Sequence, residues 1–294
     1  MKINICDNSV DDTSIFSEWS QTHNWYRSKD TFHSNFPDNF EFDYWKRENN
    51  EVTIFVTKGI YSVDEIDSEI KIAIPSDLRE FHRPIYEFIE NNIEKFDRVI
   101  TYDERLIGLY PDKCFPSPAM KPWIWPESKQ KIYQKDKLCS YITSTKIIIP
   151  GHNFRVDILN NLNSTHSHLE VDCFGQGHNP LPEDEGKLLG LKDYAFSIAM
   201  ENNKTEFYFS EKLLDVILTG TVPIYWGCKS IGNYFNTDGL LLFDTKEELF
   251  EIISKLDMDL YKKMLPAIKE NFNLCREKYI DNFHYFVSEG TEWI

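Results

Sequence analysis

A cluster of charged and hydroxyl side chains at Glu201–Lys212 (ENNKTEFYFSEK) is the densest polar signal in the sequence. It follows Tyr194–Met200, an apolar run typical of a buried strand, and Ser210 is a suitable N-cap for a helix. Glu211 and Lys212 then fall in the first helical turn, where backbone N–H groups and the helix dipole attract anions. The pattern indicates a nucleotide site, in which Lys212 meets a phosphate and the Glu211 carboxylate accepts hydrogen bonds from a ribose diol. The alternative is a plain helix start, in which Glu211 complements the dipole and Lys212 is solvated.

Arg155 is the second basic residue with a chemical interpretation. It lies in the segment Gly151–Arg155 (GHNFR), between a predicted strand and a predicted helix. A guanidinium at such a point can bind a diphosphate through two parallel hydrogen bonds. A surface arginine in the first turn of a helix is the alternative.

Paired acidic and histidine residues give only weak metal signals. His166 and His168 lie in a polar stretch that is predicted to be a loop. Asp257 and Asp259 could hold Mg²⁺ with a nucleotide, but their position before the C-terminal helical segment favours a plain helix start. No P-loop, GxGxxG or GxSxG motif is present. We therefore predict no metal site.

Two further segments have open interpretations. Trp123–Trp125 (WIW) could stack on sugar rings, or could pack in a core or a hinge. Asp77 and Glu80 precede the predicted helix Pro84–Lys95, and a carboxylate there could act as a general base from the first domain. A solvated loop is the alternative for Asp77 and Glu80.

The elements that must position these residues alternate between strand and helix, which predicts an α/β fold with mostly parallel sheets. Five prolines between Pro111 and Pro126, followed by a charged stretch, indicate a boundary near residue 130. We expect two domains, 1–130 and 131–294, with a cleft between them. The predicted strands are Ile3–Cys6, Val52–Val56, Lys71–Ile74, Val99–Tyr102, Leu138–Thr143, Leu169–Phe174, Tyr194–Met200, Thr221–Trp226 and Gly239–Phe243. The predicted helices are Pro84–Lys95 with Pro84 at its first position, Phe154–Leu162, Glu211–Leu218, Lys246–Lys255 and a tail from Leu260 to about Phe283.

Composition excludes several classes of protein. The 294 residues carry 32 Lys and Arg against 48 Asp and Glu, a net charge of −16, which disfavours nucleic acid and anionic lipid as partners. No apolar run is long enough to span a membrane, and the N-terminal residues do not form a signal peptide. The six cysteines form no CxxC pair, so reduced, buried thiols and a cytoplasmic location are expected.

One stretch of the sequence resembles a known family. Tyr194–Phe243 contains Glu201-Asn202, then Tyr208–Lys212 (YFSEK), then Gly220–Gly227 (GTVPIYWG). This order is similar to the donor-binding region of the α-1,3-fucosyltransferases and their bacterial and viral relatives. Upstream, Ser144–Arg155 looks like the segment that carries the phosphate-binding arginine of that family.

The resemblance implies a GT-B architecture of two Rossmann-like domains, with the donor bound in the C-terminal one. It also implies an inverting glycosyltransferase that moves L-fucose from GDP-β-L-fucose to a hydroxyl of a glycan, without a metal or other cofactor. Arg155 and Lys212 would then hold the diphosphate, Glu211 would hold the ribose, and Asn202 and Tyr208 would line the sugar and phosphates. The base of the family is a glutamate of the N-terminal domain, for which Glu80 is favoured over Asp77.

Two alternatives stay open beside this interpretation. The first keeps the fold and mechanism with a different nucleotide sugar. The second is a non-catalytic nucleotide- or carbohydrate-binding relative, against which the intact Arg155, Glu211 and Lys212 argue.

Overall fold

Strands and helices alternate through the residues that the computed structural model describes: 2–7, 41–75, 78–117, 122–176, 178–182 and 186–279. They form two compact units, Met1–Pro118 with Phe283–Ile294, and Ala119–Asn282. The division near residue 130 that the sequence predicts therefore falls inside the second unit. Every strand pairing that the structure describes within its two sheets is parallel.

The first unit contains a six-stranded sheet in the order β2-β1-β3-β4-β5-β6. Its apolar side chains pack against α1, where Ile85, Tyr86 and Ile89 are buried. The last five residues of β3 and the last three of β4 are buried, as expected where a parallel sheet is covered on both faces. The bounds are β1 Lys2–Asp7, β2 Glu41–Tyr44, β3 Asn50–Val56, β4 Ser68–Ile74, α1 Arg79–Asn91, β5 Arg98–Thr101, α2 Glu104–Leu109 and β6 Cys114–Pro116.

Helix α1 differs from its prediction at both ends. It begins at Arg79, five residues before Pro84, and His82 interrupts it with φ −128° and ψ 41°. Pro84 follows this interruption, where its missing N–H leaves no helical hydrogen bond unmade. The helix ends at Asn91, and Ile93–Lys95 forms a separate 3-10 turn.

The second unit contains a five-stranded sheet in the order β11-β10-β9-β7-β8. The middle strand, β9, is buried along its whole length, which explains why the sequence is apolar there except at Ser197. The bounds are β7 Lys137–Thr143, α3 Pro150–Leu162, β8 Asp172–Gly175, β9 Tyr194–Met200, α4 Glu211–Ile217, β10 Val222–Trp226, β11 Leu241–Leu242, α5 Lys246–Ser254 and α6 Met258–Lys278.

Helix α3 and strands β8 and β11 depart most clearly from the predicted bounds. Helix α3 begins at Pro150 rather than Phe154, because proline is well accommodated at the first helical position. The strand predicted over Leu169–Phe174 is only Asp172–Gly175, since Glu170 takes a left-handed conformation with φ 50°. Strand β11 is two residues long.

Buried polar and thiol groups complete the framework. The Lys135 ammonium donates to the carbonyl oxygens of Leu191, Lys192 and Thr219 and to the Thr221 hydroxyl, at 2.8 to 3.2 Å. It therefore joins the segment before β7 to the segments that lead into β9 and β10. All six cysteines are free and buried. In the described parts of the chain, no helix is long and apolar enough to cross a bilayer.

Candidate functional site

A cavity of about 240 Å³ lies at the carboxyl ends of three neighbouring strands of the second unit. Thr143, Gly175 and Met200, the last residues of β7, β8 and β9, all line it. This edge of a parallel α/β sheet is where ligands bind in open sheets. The charged side chains that line the cavity are Arg155, Lys187, Glu211, Lys212 and Asp215.

The N-terminus of α4 is fixed by a buried carboxylate. Glu201 directly follows β9, has no exposed surface, and accepts hydrogen bonds from the backbone N–H and the hydroxyl of Ser210 at 2.7 and 2.6 Å. Ser210 caps the helix, as predicted, by accepting from the Lys212 N–H. Burial raises the pKa of Glu201, against the opposing effect of Lys212. Glu201 thus holds the turn that carries Glu211 and Lys212.

Glu211 and Lys212 form an ion pair at the cavity. The Lys212 Nζ lies 3.1 Å from the Glu211 Oε1 and 3.8 Å from the Glu201 Oε2. Burial alone would raise the pKa of Glu211, but Lys212 and Lys187 outweigh it and lower the pKa to about 2. Burial likewise opposes the charge on Lys212, and the two carboxylates raise its pKa. Glu211 and Lys212 are therefore both ionised at neutral pH.

Arg155 lies on α3, the helix that follows β7, and lines the cavity. Only 6% of it is exposed, and its Nε is buried without a hydrogen-bond partner among the described residues. A buried donor of this kind costs free energy until an acceptor reaches it. Arg155 and Lys212, the two candidate phosphate ligands, therefore meet at one cavity.

Lys187 and Asp215 were missed by the sequence reasoning. The Lys187 Nζ lies 2.8 Å from the Asp215 Oδ2 and 3.6 Å from the Glu211 Oε1. Burial raises the pKa of Asp215, against the opposing effect of Lys187. Asp215 could have been found, because it lies four residues after Glu211 and so on the same face of α4. Lys187 comes from the 3-10 turn Gly186–Gly190, for which the sequence offers no signal.

Trp123 forms one wall of the cavity. Its backbone N–H and that of Ile124 donate to the Asp215 Oδ1 at 2.6 and 3.0 Å. The Lys187 ammonium lies 4.3 Å from the centre of the Trp123 ring, a cation–π contact. Trp123 is 61% exposed and so lies outside a core, whereas its neighbour Ile124 is buried; packing in a core was one interpretation of this segment.

The remaining predicted residues lie elsewhere. Asn202 and Tyr208 do not line this cavity; the Asn202 Oδ1 lies 3.2 Å from the His152 Nε2, and Tyr208 is buried. Glu80 is exposed in the first turn of α1, in the first unit. Asp77 lies outside the described residues.

The weak metal candidates have structural partners. Asp257 caps α6, with its side chain accepting from the Leu260 N–H, and His166 stacks on Phe250 with ring centres 4.0 Å apart. Within the ranges that the structure describes, no three His, Cys, Asp or Glu side chains are grouped so as to hold a metal ion.

A family model and several curated proteins match part of this chain. Residues 132–265 match the family model described as glycosyltransferase family 10 (fucosyltransferase), C-terminal part. A putative fucosyltransferase-like protein of Arabidopsis thaliana is 30% identical over 107 residues, which cover 36% of this chain and 20% of that protein. GDP-fucose protein O-fucosyltransferase 3 of Gallus gallus is 28% identical over 155 residues, covering 41% of this chain and 33% of that protein. The chain thus spans a third or less of the length of these curated relatives.

Solved structures extend the likeness to both units. An α1,3-fucosyltransferase with GDP superposes with a TM-score of 0.55 at 15% identity, covering 94% of this chain and 88% of that one. TarM superposes with a TM-score of 0.56 at 12% identity, covering 83% and 55%. T4 phage BGT with its UDP-glucose substrate superposes with a TM-score of 0.51 at 11% identity, covering 99% of each chain.

Two parallel-sheet α/β units and these neighbours define the GT-B fold of glycosyltransferases, as the sequence predicted. Residues 132–265 are similar in sequence to glycosyltransferases. Within that class, the second unit resembles the fucosyltransferases of family 10, which confirms the resemblance inferred from the motifs.

Proposed function

We propose that this protein transfers L-fucose from GDP-β-L-fucose to an acceptor hydroxyl with inversion at the sugar carbon. The observation that carries the proposal is the pairing of Arg155 and Lys212 at one cavity, inside the region that matches the fucosyltransferase family. Two cations at the carboxyl edge of a parallel sheet suit a diphosphate better than they suit a neutral sugar.

The diphosphate of the donor lies between Arg155 and Lys212 in this proposal. As the bond from the sugar to the diphosphate breaks, negative charge grows on the departing GDP. The guanidinium and the ammonium stabilise that charge, which is the role that a divalent cation has in metal-dependent transferases. The reaction is accordingly proposed to need no metal and no other cofactor.

Three short distances suggest how the rest of the nucleotide is oriented. The Glu211 Oε1 lies 3.1 Å from the Lys212 Nζ and 3.6 Å from the Lys187 Nζ. The Lys187 Nζ in turn lies 4.3 Å from the centre of the Trp123 ring. The ionised Glu211 suits the two ribose hydroxyls, which are donors. The exposed ring of Trp123 offers the nucleobase a stacking surface one step further along.

A carboxylate of the first unit completes the proposed reaction. We propose Glu80 as the general base, with Asp77 as the second choice. The base takes the proton of the acceptor hydroxyl while the acceptor oxygen bonds to the sugar carbon on the face opposite the departing GDP. The acceptor is proposed to be a glycan; the name of the relative GDP-fucose protein O-fucosyltransferase 3 adds a protein hydroxyl as a second acceptor class.

A different nucleotide sugar is the second candidate. The fold neighbour T4 phage BGT holds UDP-glucose, so the same architecture suits a uridine donor. A binding protein without turnover is the third candidate.

Thermal stabilisation by nucleotides separates these candidates. GDP and GDP-fucose at 100 times their Kd should each add about 2.7 kcal/mol to the free energy of unfolding, while UDP and CMP add little. The shifts should be unchanged by EDTA. Stabilisation by UDP alone would mean that the donor is a uridine nucleotide sugar and not GDP-fucose. Loss of the GDP shift with EDTA would contradict the metal-free mechanism. Stabilisation by GDP-fucose without transfer to any glycan or protein acceptor would favour the binding protein.

A further inference from the structure

His152 is a buried side chain that makes none of the donor contacts proposed above. It is the third residue of α3 and is only 2% exposed. Its Nδ1 lies 3.2 Å from the backbone nitrogen of Ile148, and its Nε2 lies 3.2 Å from the Asn202 Oδ1. A backbone N–H can only donate, so Nδ1 must accept and carries no proton. In the neutral ring the proton is then on Nε2, which donates to Asn202.

These two hydrogen bonds join three segments around the cavity. Ile148 belongs to the loop that leads from β7 into α3, and Asn202 belongs to the turn between β9 and α4. The backbones of α3 and this turn are also in direct contact, because a Cβ on Gly151 would lie 2.1 Å from the Asn202 carbonyl oxygen. Arg155 lies three residues beyond His152 on the same face of α3, and Lys212 follows the turn. His152 therefore lies between the supports of the two candidate phosphate ligands.

Three cations of the described residues disfavour protonation of the ring. Lys146 from the preceding loop, Arg155 from its own helix and Lys212 from α4 act on it, while Asn202 from the turn is uncharged. Burial first, and these cations with it, lower the pKa of His152 despite the Asn202 hydrogen bond. A proton on Nδ1 would also face the Ile148 N–H, donor against donor. Protonation therefore breaks the contact between the loop and the helix.

We propose that neutral His152 is a positioning residue of the donor site, which fixes the start of α3 against Asn202 and so places Arg155 at the same cavity as Lys212. Protonation of His152 in acid then weakens the binding of the donor diphosphate. This inference rests on the proposed function, and it adds a titratable positioning residue to that site.

The test measures GDP-fucose affinity by calorimetry from pH 7.5 to pH 5. GDP-fucose is the probe because both of its phosphates are esterified, whereas the terminal phosphate of GDP itself titrates near pH 6. His152→Gln retains an N–H that can reach Asn202 but cannot titrate, and His152→Ala has neither hydrogen bond. His168→Gln, at an exposed histidine of the same unit, is the matched control.

The wild type and His168→Gln should lose affinity as the pH falls through the lowered pKa of His152, by about 3- to 10-fold once the ring is protonated, the scale of one hydrogen bond. His152→Ala should be weaker by about the same factor at pH 7.5. His152→Gln should recover most of that loss and show a flat pH profile. The same acid loss in His152→Gln would assign the titration to another group, such as Glu201, and would overturn the inference. Wild-type affinity in His152→Ala at pH 7.5 would overturn it as well.

A ligand-free measurement separates this inference from the proposed function. Nitrogen-15 spectra of histidine-labelled protein should show one ring with a proton on Nε2 and none on Nδ1 at neutral pH, and this signal should be missing in His152→Gln. A proton on Nδ1 of that ring would overturn the inference even if GDP-fucose binds. No binding of GDP-fucose at any pH would instead contradict the proposed function.

Discussion

At the scale of single residues, the three cations of the cavity are not equivalent. Lys187 is paired with Asp215, and Lys212 is paired with Glu211. The Arg155 Nε has no partner in the part of the chain that the structure describes. A phosphate must compete with carboxylates for the two lysines, but it meets Arg155 without such a competitor. Arg155 should therefore contribute more to diphosphate affinity than either lysine.

Replacement of Arg155 tests this ranking. Arg155→Ala should weaken GDP binding by about 1–3 kcal/mol, the range for a hydrogen bond to a charged group. Arg155→Lys should recover only part of the loss, because an ammonium lacks the planar fork of the guanidinium. Titration calorimetry measures both, with the exposed Lys262→Ala as the control. Equal GDP affinity in Arg155→Ala and the wild type would remove Arg155 from the phosphate site.

At the scale of elements, the site depends on how closely α3 approaches the turn after β9. Gly151 lies in the first turn of α3, and a side chain there would collide with the backbone oxygen of Asn202. The space is closed by main chain, which cannot move aside as a flexible side chain can. The glycine is thus required by the contact between the two elements and not by its own helical conformation.

Two glycine replacements distinguish the effect of the contact between α3 and the turn from the effect of helix propensity. Gly151→Ala should destabilise the protein by about 1–3 kcal/mol, as overpacking does, although alanine is the better helix former. Gly108→Ala in α2 is the matched control, because no atom lies within 4 Å of the added Cβ. The control should be neutral or stabilising by up to about 1 kcal/mol. Urea unfolding measures both, and a stable Gly151→Ala would mean that α3 is not pressed against the turn.

The sequence predicted β9 with its observed bounds because six of its seven residues are apolar or aromatic, and the structure buries all seven. It predicted α3 four residues too late, because Pro150 and Gly151 are read locally as a loop. Local signals could not show that Pro150 occupies a favourable first position or that Gly151 meets a neighbouring turn. The prediction of β11 was too long, since an edge strand with one neighbour is limited by pairing and not by composition.

The sequence likewise predicted some residues of the candidate site and missed others. Arg155, Glu211 and Lys212 do line one cavity, since each follows a strand whose carboxyl end lies at the same sheet edge. Lys187 was missed because its role depends on a distant partner, Asp215, and not on neighbours in sequence. Glu201 looked like part of a nucleotide motif, whereas its buried carboxylate holds the Ser210 cap.

At the scale of the whole molecule, the donor contacts that we propose all come from the second unit. The whole chain carries a net charge of −16, but three of its cations, Arg155, Lys187 and Lys212, line the same cavity. The proposed base, Glu80, belongs to the first unit. Donor affinity and transfer should therefore respond to different variants.

Glu80→Gln tests this division between the units. It should leave GDP affinity unchanged, because no donor contact is removed, and should lower the transfer rate by at least about 10²-fold, as for a lost general base. Glu87→Gln, at a half-exposed glutamate of the same helix, should change neither quantity. Full transfer by Glu80→Gln would exclude Glu80 as the base, and Asp77→Asn would be the next variant.

The two sheets use separate stretches of the chain, with strands from Lys2 to Pro116 in one and from Lys137 to Leu242 in the other. This order matters while the protein is being made on the ribosome. The last strand of the second sheet ends 126 residues after the last strand of the first, which takes roughly 6–25 s at ordinary elongation rates. All the strands of the first sheet are thus available to pair for seconds before the second sheet can be completed. A nascent chain halted between these two points would present the first sheet without the second.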